Sequence, residues 1–216
     1  MRTKLQELKN KLSGQEVFIV GGGYSIEQIN KDFLQDKLVV GINDAYQFLP
    51  NAAALYWCDN SWVARHMHLL KEHPCQHRFN AAPHYRVHIE KDIDASGGAT
   101  ALHLTGDKGF DPNPDCVKGN NGGTHALNLT INMGARRIYL LGFDMRDDPL
   151  KPGKFHYHNN HIVTPRIDVY TEFIDAMKEL NKEVRRLRID VDIVNCSPTS
   201  ALQCFRKDRI KGLYLD

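Results

Sequence analysis

The feature of this sequence that most limits its fold is a short apolar segment that leads directly into three glycines. Glu16–Val20 (EVFIV) is followed at once by Gly21, Gly22 and Gly23. An apolar run without polar alternation is typical of a strand buried on both faces, as in the middle of a parallel sheet. Such a sheet needs helices on both sides, so the segment predicts an α/β architecture.

The rest of the chain alternates strand-like and helix-like segments, as this architecture requires. Further strands are predicted at 37–42, 53–58, 137–142 and 191–194, and helices at 1–13, 25–35, 61–71, 122–133 and 167–187. This order predicts a single Rossmann-like domain over residues 1–216, a doubly wound, mostly parallel sheet with helices on both faces. Two segments interrupt it. One is an irregular insertion at about 75–118, with short strands near Tyr85–Ile89 and Thr100–Leu104, and the other is a loop at about 144–165 that we expect to be mobile.

Charge and cysteine usage exclude several classes of protein. The 216 residues include 28 basic and 26 acidic side chains, and the formal net charge of +2 excludes a strongly basic nucleic-acid binder of the histone type. No apolar run approaches the roughly 18–20 residues that cross a bilayer, and the charged N-terminus lacks the apolar centre of a secretion signal. Five cysteines without close pairing are typical of reduced thiols. We therefore expect a cytoplasmic protein.

Ligands of doubly wound sheets bind at the carboxyl ends of the strands, so the residues after each strand are the candidates for a site. After the first strand, Gly21, Gly22 and Gly23 would let the backbone turn tightly and let a phosphate approach its amides. Ser25 and Gln28 fit a capping box that opens the next helix toward the same anion. The alternative is a strand–helix turn without a ligand.

Polar residues also follow the second and third predicted strands. Asn43 offers a donor and an acceptor, which suits a ribose or a base edge, and Asp59 follows the third strand. Helix capping is the alternative explanation for both residues, since Asn and Asp are preferred at helix N-termini.

A second glycine-rich turn, KGNNGGTH, opens the apolar helix predicted at 122–133. Asn121, Gly122 and Gly123 would then lie at a helix N-terminus, where backbone amides favour anions. Two such turns in one sheet predict a ligand that has a phosphate and several hydroxyls.

Carboxylates flank two further strands. Asp144 lies just beyond the strand at 137–142 and would bind a ribose or substrate hydroxyl or brace the loop. Asp190 and Asp192 have the DxD spacing of the metal-binding motif of many glycosyltransferases, and a solvent-facing entry to the last strand is the alternative.

The segment FHYHNNH holds three histidines, His156, His158 and His161, together with Tyr157. Imidazoles could bind zinc or iron, although the spacing matches no strong zinc pattern. We favour a second interpretation, in which one histidine is a general base and the others hydrogen-bond the substrate. The third interpretation of the segment is a polar surface loop. The remaining histidines, His66 among them, are scattered and are expected to be surface or packed residues.

The motifs, taken in order, resemble a known superfamily. The order VFIVGGGYS, GINDA, GNNGGTHALN and GARRIYLLGFDM is similar to that of the superfamily shared by glycosyltransferase family 42 sialyltransferases and 6-hydroxymethylpterin diphosphokinase-like proteins. Many phage and prophage proteins belong to this group, and this short chain looks most like those. The likeness covers roughly residues 15–60 and 118–200. The family more often has Gly-Pro-Ser where this chain has Tyr24 before Ser25, which leaves the identity of the donor open.

The resemblance implies roles for the residues at the strand ends. In the sialyltransferases these positions bind a CMP-linked sugar donor, here Gly21, Gly22, Gly23, Ser25, Asn43, Asn121, Gly122 and Gly123. A loop histidine in a His-Tyr context is the general base in that family, which works without a metal ion. His156 with Tyr157 matches that context, and His158 is its near rival.

Together these expectations predict an inverting glycosyltransferase that uses a CMP- or UDP-linked sugar donor and an unknown hydroxyl acceptor, such as a glycan or a modified DNA base. One alternative is a diphosphokinase that transfers pyrophosphate from ATP to a hydroxymethyl group, with Mg²⁺ held by Asp59 or Asp144. Another is a nucleotide-binding module without catalysis. We expect no membrane partner, a homo-oligomer is compatible with the sequence, and a phage-encoded protein would act in the host cytoplasm.

Overall fold

Strands and helices alternate through residues 2–81, 98–158 and 167–215, which are the residues described in this computed structural model. The strands are β1 Glu16–Val20, β2 Leu38–Ile42, β3 Ala54–Trp57, β4 Arg78–Asn80, β5 Thr100–Ala101, β6 His103–Leu104, β7 Cys116–Val117, β8 Arg137–Leu141, β9 Asp192–Asn195 and β10 Arg206–Lys207. The α-helices are α1 Arg2–Leu12, α2 Asn60–Glu72, α3 Gly122–Asn132 and α4 Ile167–Arg186, and short 3₁₀ helices span Tyr24–Gln28, Lys31–Leu34 and Asn43–Phe48. Of the helices described, none is long and apolar enough to cross a membrane.

Eight strands form the main sheet, in the order β10-β9-β8-β1-β2-β3-β4-β5, while β6 and β7 pair separately. All of these neighbours run parallel. The chain moves outward from β1 to β5, then returns to β8 on the other side of β1 and moves outward again. The strand order therefore reverses between β1 and β8, the place where doubly wound sheets bind their ligands. The α/β fold predicted from the sequence is confirmed.

The apolar run of β1 is explained by two hydrophobic clusters, one on each face of the sheet. Val17 and Ile19 belong to the cluster that includes residues of α1, α3 and α4. Phe18 and Val20 belong to the opposite cluster, which includes residues of the 3₁₀ helices and α2. Successive side chains of a strand point to opposite faces, so a strand covered on both sides is apolar at every position. Burying each such side chain contributes about 1.5–3 kcal/mol.

The single helix predicted at 25–35 is wrong, because this segment forms two short 3₁₀ helices. The residue before the first is Gly23, which makes no side-chain cap, so the predicted capping box of Ser25 and Gln28 does not form. Instead the Ser25 hydroxyl donates to Asp144 Oδ2 at 2.9 Å. A buried carboxylate is a stronger hydrogen-bond acceptor than water, so the Ser25 hydroxyl binds Asp144 instead of capping the helix. So short a helix also has few aligned peptide dipoles to direct at an anion.

The segment predicted as an irregular insertion contributes strands to the sheet. β4 and β5 extend the main sheet beside β3. The strand expected at Thr100–Leu104 is divided between β5 in the main sheet and β6 in the two-stranded sheet. The strand predicted near Tyr85–Ile89 lies outside the described residues.

Asp192 takes part in ion pairs at the opposite end of the sheet from the glycine turns. Its Oδ2 accepts from Arg137 Nε at 2.7 Å and from Arg206 Nη2 at 2.8 Å. These two guanidinium groups lower the pKa of Asp192. The metal interpretation of Asp190 and Asp192 is therefore unsupported, and a solvent-facing entry to β9 describes the segment.

Candidate active site

A cavity of about 290 Å³ lies at the carboxyl ends of β1, β2, β3 and β8. It is the place where the reversal of strand order predicts a ligand. The sequence-predicted site residues that line it are Gly21, Gly22, Gly23, Asn43, Asp59, Asn121, Gly122, Gly123, Asp144, His156 and His158. Ser25 and Tyr157 do not line it, and both lie behind residues that do. The fold thus brings together side chains from segments more than a hundred residues apart.

Gly23 is a glycine because of packing rather than because of its backbone angles. Its φ of −66° and ψ of 157° are accessible to any residue. A Cβ at this position would lie 2.1 Å from Asp144 Oδ2 and 2.6 Å from the Gly142 carbonyl oxygen. The Gly23 amide donates to that same carbonyl at 2.9 Å. The backbone angles at Gly23 therefore do not require glycine, and its missing side chain makes room for Asp144.

Asp144 is a buried carboxyl group with one oxygen bound by the protein and one that faces no donor. Its side chain is 1% exposed. Oδ2 accepts from the backbone amide and the hydroxyl of Ser25, at 3.1 and 2.9 Å, whereas Oδ1 has no hydrogen-bond partner among the described residues. Burial raises the pKa of Asp144 to about 6, although the Ser25 hydrogen bonds oppose that shift. Asp144 lines the cavity, and the Ser25 hydrogen bonds fix the orientation of its carboxyl group.

Asn43 follows β2 in a left-handed backbone conformation, with φ of 49°. Such a conformation is uncommon outside glycine and often marks functional positions. The 3₁₀ helix that begins here has no side-chain cap, so the capping interpretation of Asn43 is wrong. Its Oδ1 is buried and lacks a hydrogen-bond partner within the described part of the chain. Asp59, in contrast, does cap a helix, because its Oδ1 accepts from the Trp62 amide at 3.1 Å while the residue also lines the cavity.

The second glycine turn places the N-terminus of α3 at the cavity. Asn121 is the cap residue, and its Oδ1 accepts from the Thr124 amide at 3.0 Å. Its side-chain nitrogen donates to Asn120, so the Asn121 side chain serves the turn itself. The first amides of a helix have no partner within the helix, and here Gly122 and Gly123 line the cavity. Their amides and the positive end of α3 favour an anionic ligand.

The histidine segment runs along the end of β1. The Tyr157 amide donates to the Gly22 carbonyl at 3.3 Å, and His156 forms an isolated antiparallel bridge with Gly23. A Cβ on Gly22 would lie 3.6 Å from His156 Nδ1 and 3.8 Å from His158 Nε2. The two imidazole rings stack with centroids 5.5 Å apart. The described part of the loop at 144–165 is therefore held by backbone contacts, and both rings lie over the first glycine turn.

Tyr157 points away from the cavity, into the second hydrophobic cluster. Its ring packs edge-on against Phe48 with centroids 5.8 Å apart. Burial raises its pKa far above the usual value for a tyrosine, which keeps the hydroxyl protonated. His161 lies outside the described residues, and over residues 2–81, 98–158 and 167–215 no three His, Cys, Asp or Glu side chains form a metal-binding group.

An aromatic wall of the cavity was missed by the sequence prediction. Phe155 and Tyr170 stack at 5.4 Å, and Phe173 meets Tyr170 edge-on at 5.9 Å. Tyr170 and Phe173 belong to α4, for which the sequence predicted a helix but no site residue. The signal that distinguishes them is their position in the first turns of a helix that follows the histidine loop. Cys58 also lines the cavity, and burial raises the pKa of its thiol to about 12.

The fold is similar to that of a solved structure, the sialyltransferase CstII from Campylobacter jejuni in complex with a substrate analogue, cytidine-5'-monophosphate. The TM-score is 0.56 and the sequence identity 14%, over 93% of this chain and 87% of that one. No protein-family model matches the sequence, and no curated protein matches it. The phage origin and the diphosphokinase link expected from the motifs gain no support from these comparisons. At this identity the likeness shows that the chain has the fold of that sialyltransferase.

Proposed function

We propose that this protein is a glycosyltransferase that binds a CMP- or UDP-linked sugar donor and transfers the sugar to a hydroxyl acceptor. The observation that carries the proposal is the composition of one cavity. It combines the N-terminus of α3, two buried acceptor oxygens on Asn43 and Asp144, and two histidines. An anionic group, several hydroxyls and a proton to be removed are what a nucleotide-sugar donor and its acceptor present. The fold shared with a sialyltransferase supports the proposal.

The donor would be bound by its phosphate and its hydroxyls. The amides of Gly122 and Gly123 would hold the phosphate at the positive end of α3. Oδ1 of Asn43 and Oδ1 of Asp144 would each accept a hydrogen bond from a hydroxyl of the ribose or the sugar, which would give both buried oxygens a partner. No lysine or arginine is among the described residues that line the cavity. The charge of the phosphate would thus be stabilised by the amides at the N-terminus of α3.

The chemical step would be a single displacement at the anomeric carbon. A histidine nitrogen takes the proton of the acceptor hydroxyl as its oxygen forms the new bond to the anomeric carbon. The bond from that carbon to the phosphate oxygen breaks, and the electron pair leaves with the nucleotide. The negative charge that develops on the leaving phosphate is stabilised by the α3 amides. The configuration of the anomeric carbon is inverted.

A thermal-shift panel tests the donor class. We expect CMP, UDP or their sugar derivatives to raise the melting temperature in EDTA, because a ligand that binds the folded state stabilises it by mass action. At a concentration one hundred times Kd the gain is about 2.7 kcal/mol, or about 5–10 °C for a domain of this size. Stabilisation by ATP only with Mg²⁺ would instead support the diphosphokinase, and no shift with any nucleotide would contradict nucleotide binding.

Substitution of Asn43 by glycine tests whether the shift arises in this cavity. Glycine adopts the φ of 49° without strain, so Asn43→Gly removes the amide side chain and keeps the backbone. We expect the variant to fold and to lose most of the nucleotide-induced shift. Arg188→Gly is the matched control, since Arg188 has a φ of 53° and does not line the cavity. An undiminished shift in Asn43→Gly would contradict the predicted contact.

A further inference from the structure

We propose that Asp44 is a positioning residue that makes His158, rather than His156, the ring that takes up a proton in this cavity. The part of this inference that concerns catalysis rests on the proposed function. The part that concerns the proton stands on the arrangement of charges around the two rings.

Asp44 is a buried carboxylate held in place from two elements. It follows Asn43 in the 3₁₀ helix after β2 and is 1% exposed. Trp62 Nε1, from α2, donates to its Oδ2 at 2.8 Å, and Gln47 donates to its Oδ1 at 3.0 Å. His158 Nε2 lies 3.5 Å from Oδ2, within ion-pair distance. The indole and amide donors fix the carboxylate, so its charge has a defined position beside the His158 ring.

A second histidine beside Asp44 does not neutralise this charge. His66 Nε2 lies 3.9 Å from Oδ1 of Asp44, and its ring stacks on Trp62. Burial lowers the pKa of His66, although the Asp44 charge opposes that shift. His66 Nδ1 is 2.9 Å from the Tyr46 hydroxyl. A neutral His66 that directs Nε2–H toward Asp44 and accepts from Tyr46 at Nδ1 fits both distances. A neutral His66 brings no positive charge to Asp44, so it does not compete with His158 as a cation there.

The Gly22 carbonyl beside His156 is a weaker acceptor than the Asp44 carboxylate beside His158. Its Nδ1 is 3.2 Å from the Gly22 carbonyl, which can only accept, so Nδ1 carries a hydrogen. A carbonyl dipole stabilises an imidazolium less than a buried carboxylate does. Because the two rings stack with centroids 5.5 Å apart, a proton on one disfavours a proton on the other. Tyr157 is a further titratable neighbour, edge-on to His158 at 4.8 Å, and its raised pKa keeps it neutral.

Protonation of His158 gives an imidazolium whose Nε2 lies beside the Asp44 carboxylate, and that carboxylate stabilises the charged ring. This is the role of a carboxylate behind a catalytic histidine: it holds the ring and its tautomer, and it does not itself take the proton.

Histidine titration by NMR tests the assignment without any substrate. The imidazole resonances of His158 and His156 would be identified from His158→Gln and His156→Gln. We expect Asp44→Asn to lower the pKa of His158 by about one unit or more, since an opposite charge at this distance contributes about one to three units. The pKa of His156 should not fall with it, because a neutral His158 no longer disfavours a proton on the neighbouring ring. Asp59→Asn removes a different carboxylate of the same cavity and should not move His158. An unchanged His158 in Asp44→Asn, or an equal shift of both rings, would overturn the proposal.

A variant with the opposite expected sign covers the case in which Asp44→Asn fails to fold. Trp62→Phe keeps an aromatic ring and removes the indole hydrogen bond to Oδ2 of Asp44. With one hydrogen bond fewer, the negative charge on Oδ2 is less stabilised and attracts a protonated His158 more strongly. We expect the pKa of His158 to rise in this variant. A His158 titration that does not move in Trp62→Phe would contradict a link between the two groups.

The pH profile of transfer separates this proposal from the proposed function. Because a base must be unprotonated, kcat/KM rises with pH through the pKa of the base. We expect Asp44→Asn to shift that rise to lower pH and to lower its plateau, with little change in the KM for the donor. His158→Gln should lower kcat more than His156→Gln, and the reverse order would overturn the assignment. A titration shift in a protein that transfers no sugar would support the Asp44–His158 pair and reject the glycosyltransferase.

Discussion

Gly23→Ala is expected to destabilise the protein by about 3 kcal/mol or more, and it is the substitution for which we expect the largest loss of stability. The added methyl group would meet Asp144 Oδ2 at 2.1 Å and the Gly142 carbonyl oxygen at 2.6 Å. The second contact is with backbone, so relief requires movement of β1 or β8 and weakens the hydrogen bond between Gly23 and Gly142. Overpacking of a rigid site costs about 1–3 kcal/mol and occasionally more. A melting temperature lower by about 6–12 °C would follow for a domain of this size.

The adjacent glycine provides the matched control for this prediction. A methyl group on Gly22 has the His156 and His158 ring nitrogens as its nearest atoms, at 3.6 and 3.8 Å, which are ordinary contacts. Its φ is outside the left-handed region, so alanine adds no backbone strain there and restricts the unfolded chain. Gly22→Ala should therefore melt within a few degrees of the wild-type protein. Equal losses of stability in the two variants would show that Gly23 is not packed more tightly than Gly22.

Asp144→Asn is expected to make the protein more stable at neutral pH and to weaken the binding of its ligand. The pKa of Asp144 is about 6 in the folded protein, against 3.8 for the exposed group. A carboxyl group whose folded pKa is raised contributes its stability below the unfolded pKa, and that contribution is lost as the pH rises toward the folded value. The wild-type protein should thus lose stability between about pH 4 and 6. The difference of about two units corresponds to about 3 kcal/mol.

Melting curves at two pH values give the sign of this effect. The substituted amide cannot ionise, so the variant should gain about 1–3 kcal/mol over the wild-type protein at pH 7.5 and little at pH 4. Its oxygen can still accept from Ser25, but an NH₂ group would then occupy the position of Oδ1 and cannot accept a ligand hydroxyl. We expect nucleotide affinity to fall at least tenfold, since a hydrogen bond to a charged group contributes about 1.5–3 kcal/mol.

Asp148→Asn is the control for Asp144→Asn. Asp148 is a nearby buried carboxyl that accepts from the Leu150 amide and does not line the cavity. Its substitution should leave nucleotide binding unchanged. If Asp144→Asn is less stable than the wild-type protein at neutral pH, or binds nucleotide equally well, Oδ1 is not an unsatisfied acceptor that serves the ligand.

Local sequence patterns predicted the sheet because each central strand is buried on both faces. The run VFIV needs no information from distant residues to be identified as such a strand, and β1 has the predicted bounds. The helix at 25–35 failed for the opposite reason. Its capping serine is drawn away by a carboxylate 119 residues later in the chain, and no local pattern contains that contact.

The candidate site was likewise predicted where local patterns were sufficient and missed where distant contacts decide. Residues directly after strands were found, since the carboxyl ends of parallel strands meet at one edge of a sheet. Tyr170 and Phe173 were missed because a helical stripe that lines a cavity has the same period as one that packs on a core. The relation of Asp44 to His158 depends on Trp62 and on the path of the histidine loop. Helix propensity and strand patterns contain no information on either.

The pairing of β1 with β8 also has a consequence for synthesis of the chain on the ribosome. Glu16 pairs with Arg137, a separation of 121 residues, and at about 5–20 residues per second the partner strand is made about 6–24 s later. During that interval one edge of an apolar strand has no neighbour, which is a state prone to association with other nascent chains. Gly23 likewise has neither Gly142 nor Asp144 to pack against until β8 arrives. The cavity of the nascent protein is therefore incomplete until β8 and the residues after it have been translated.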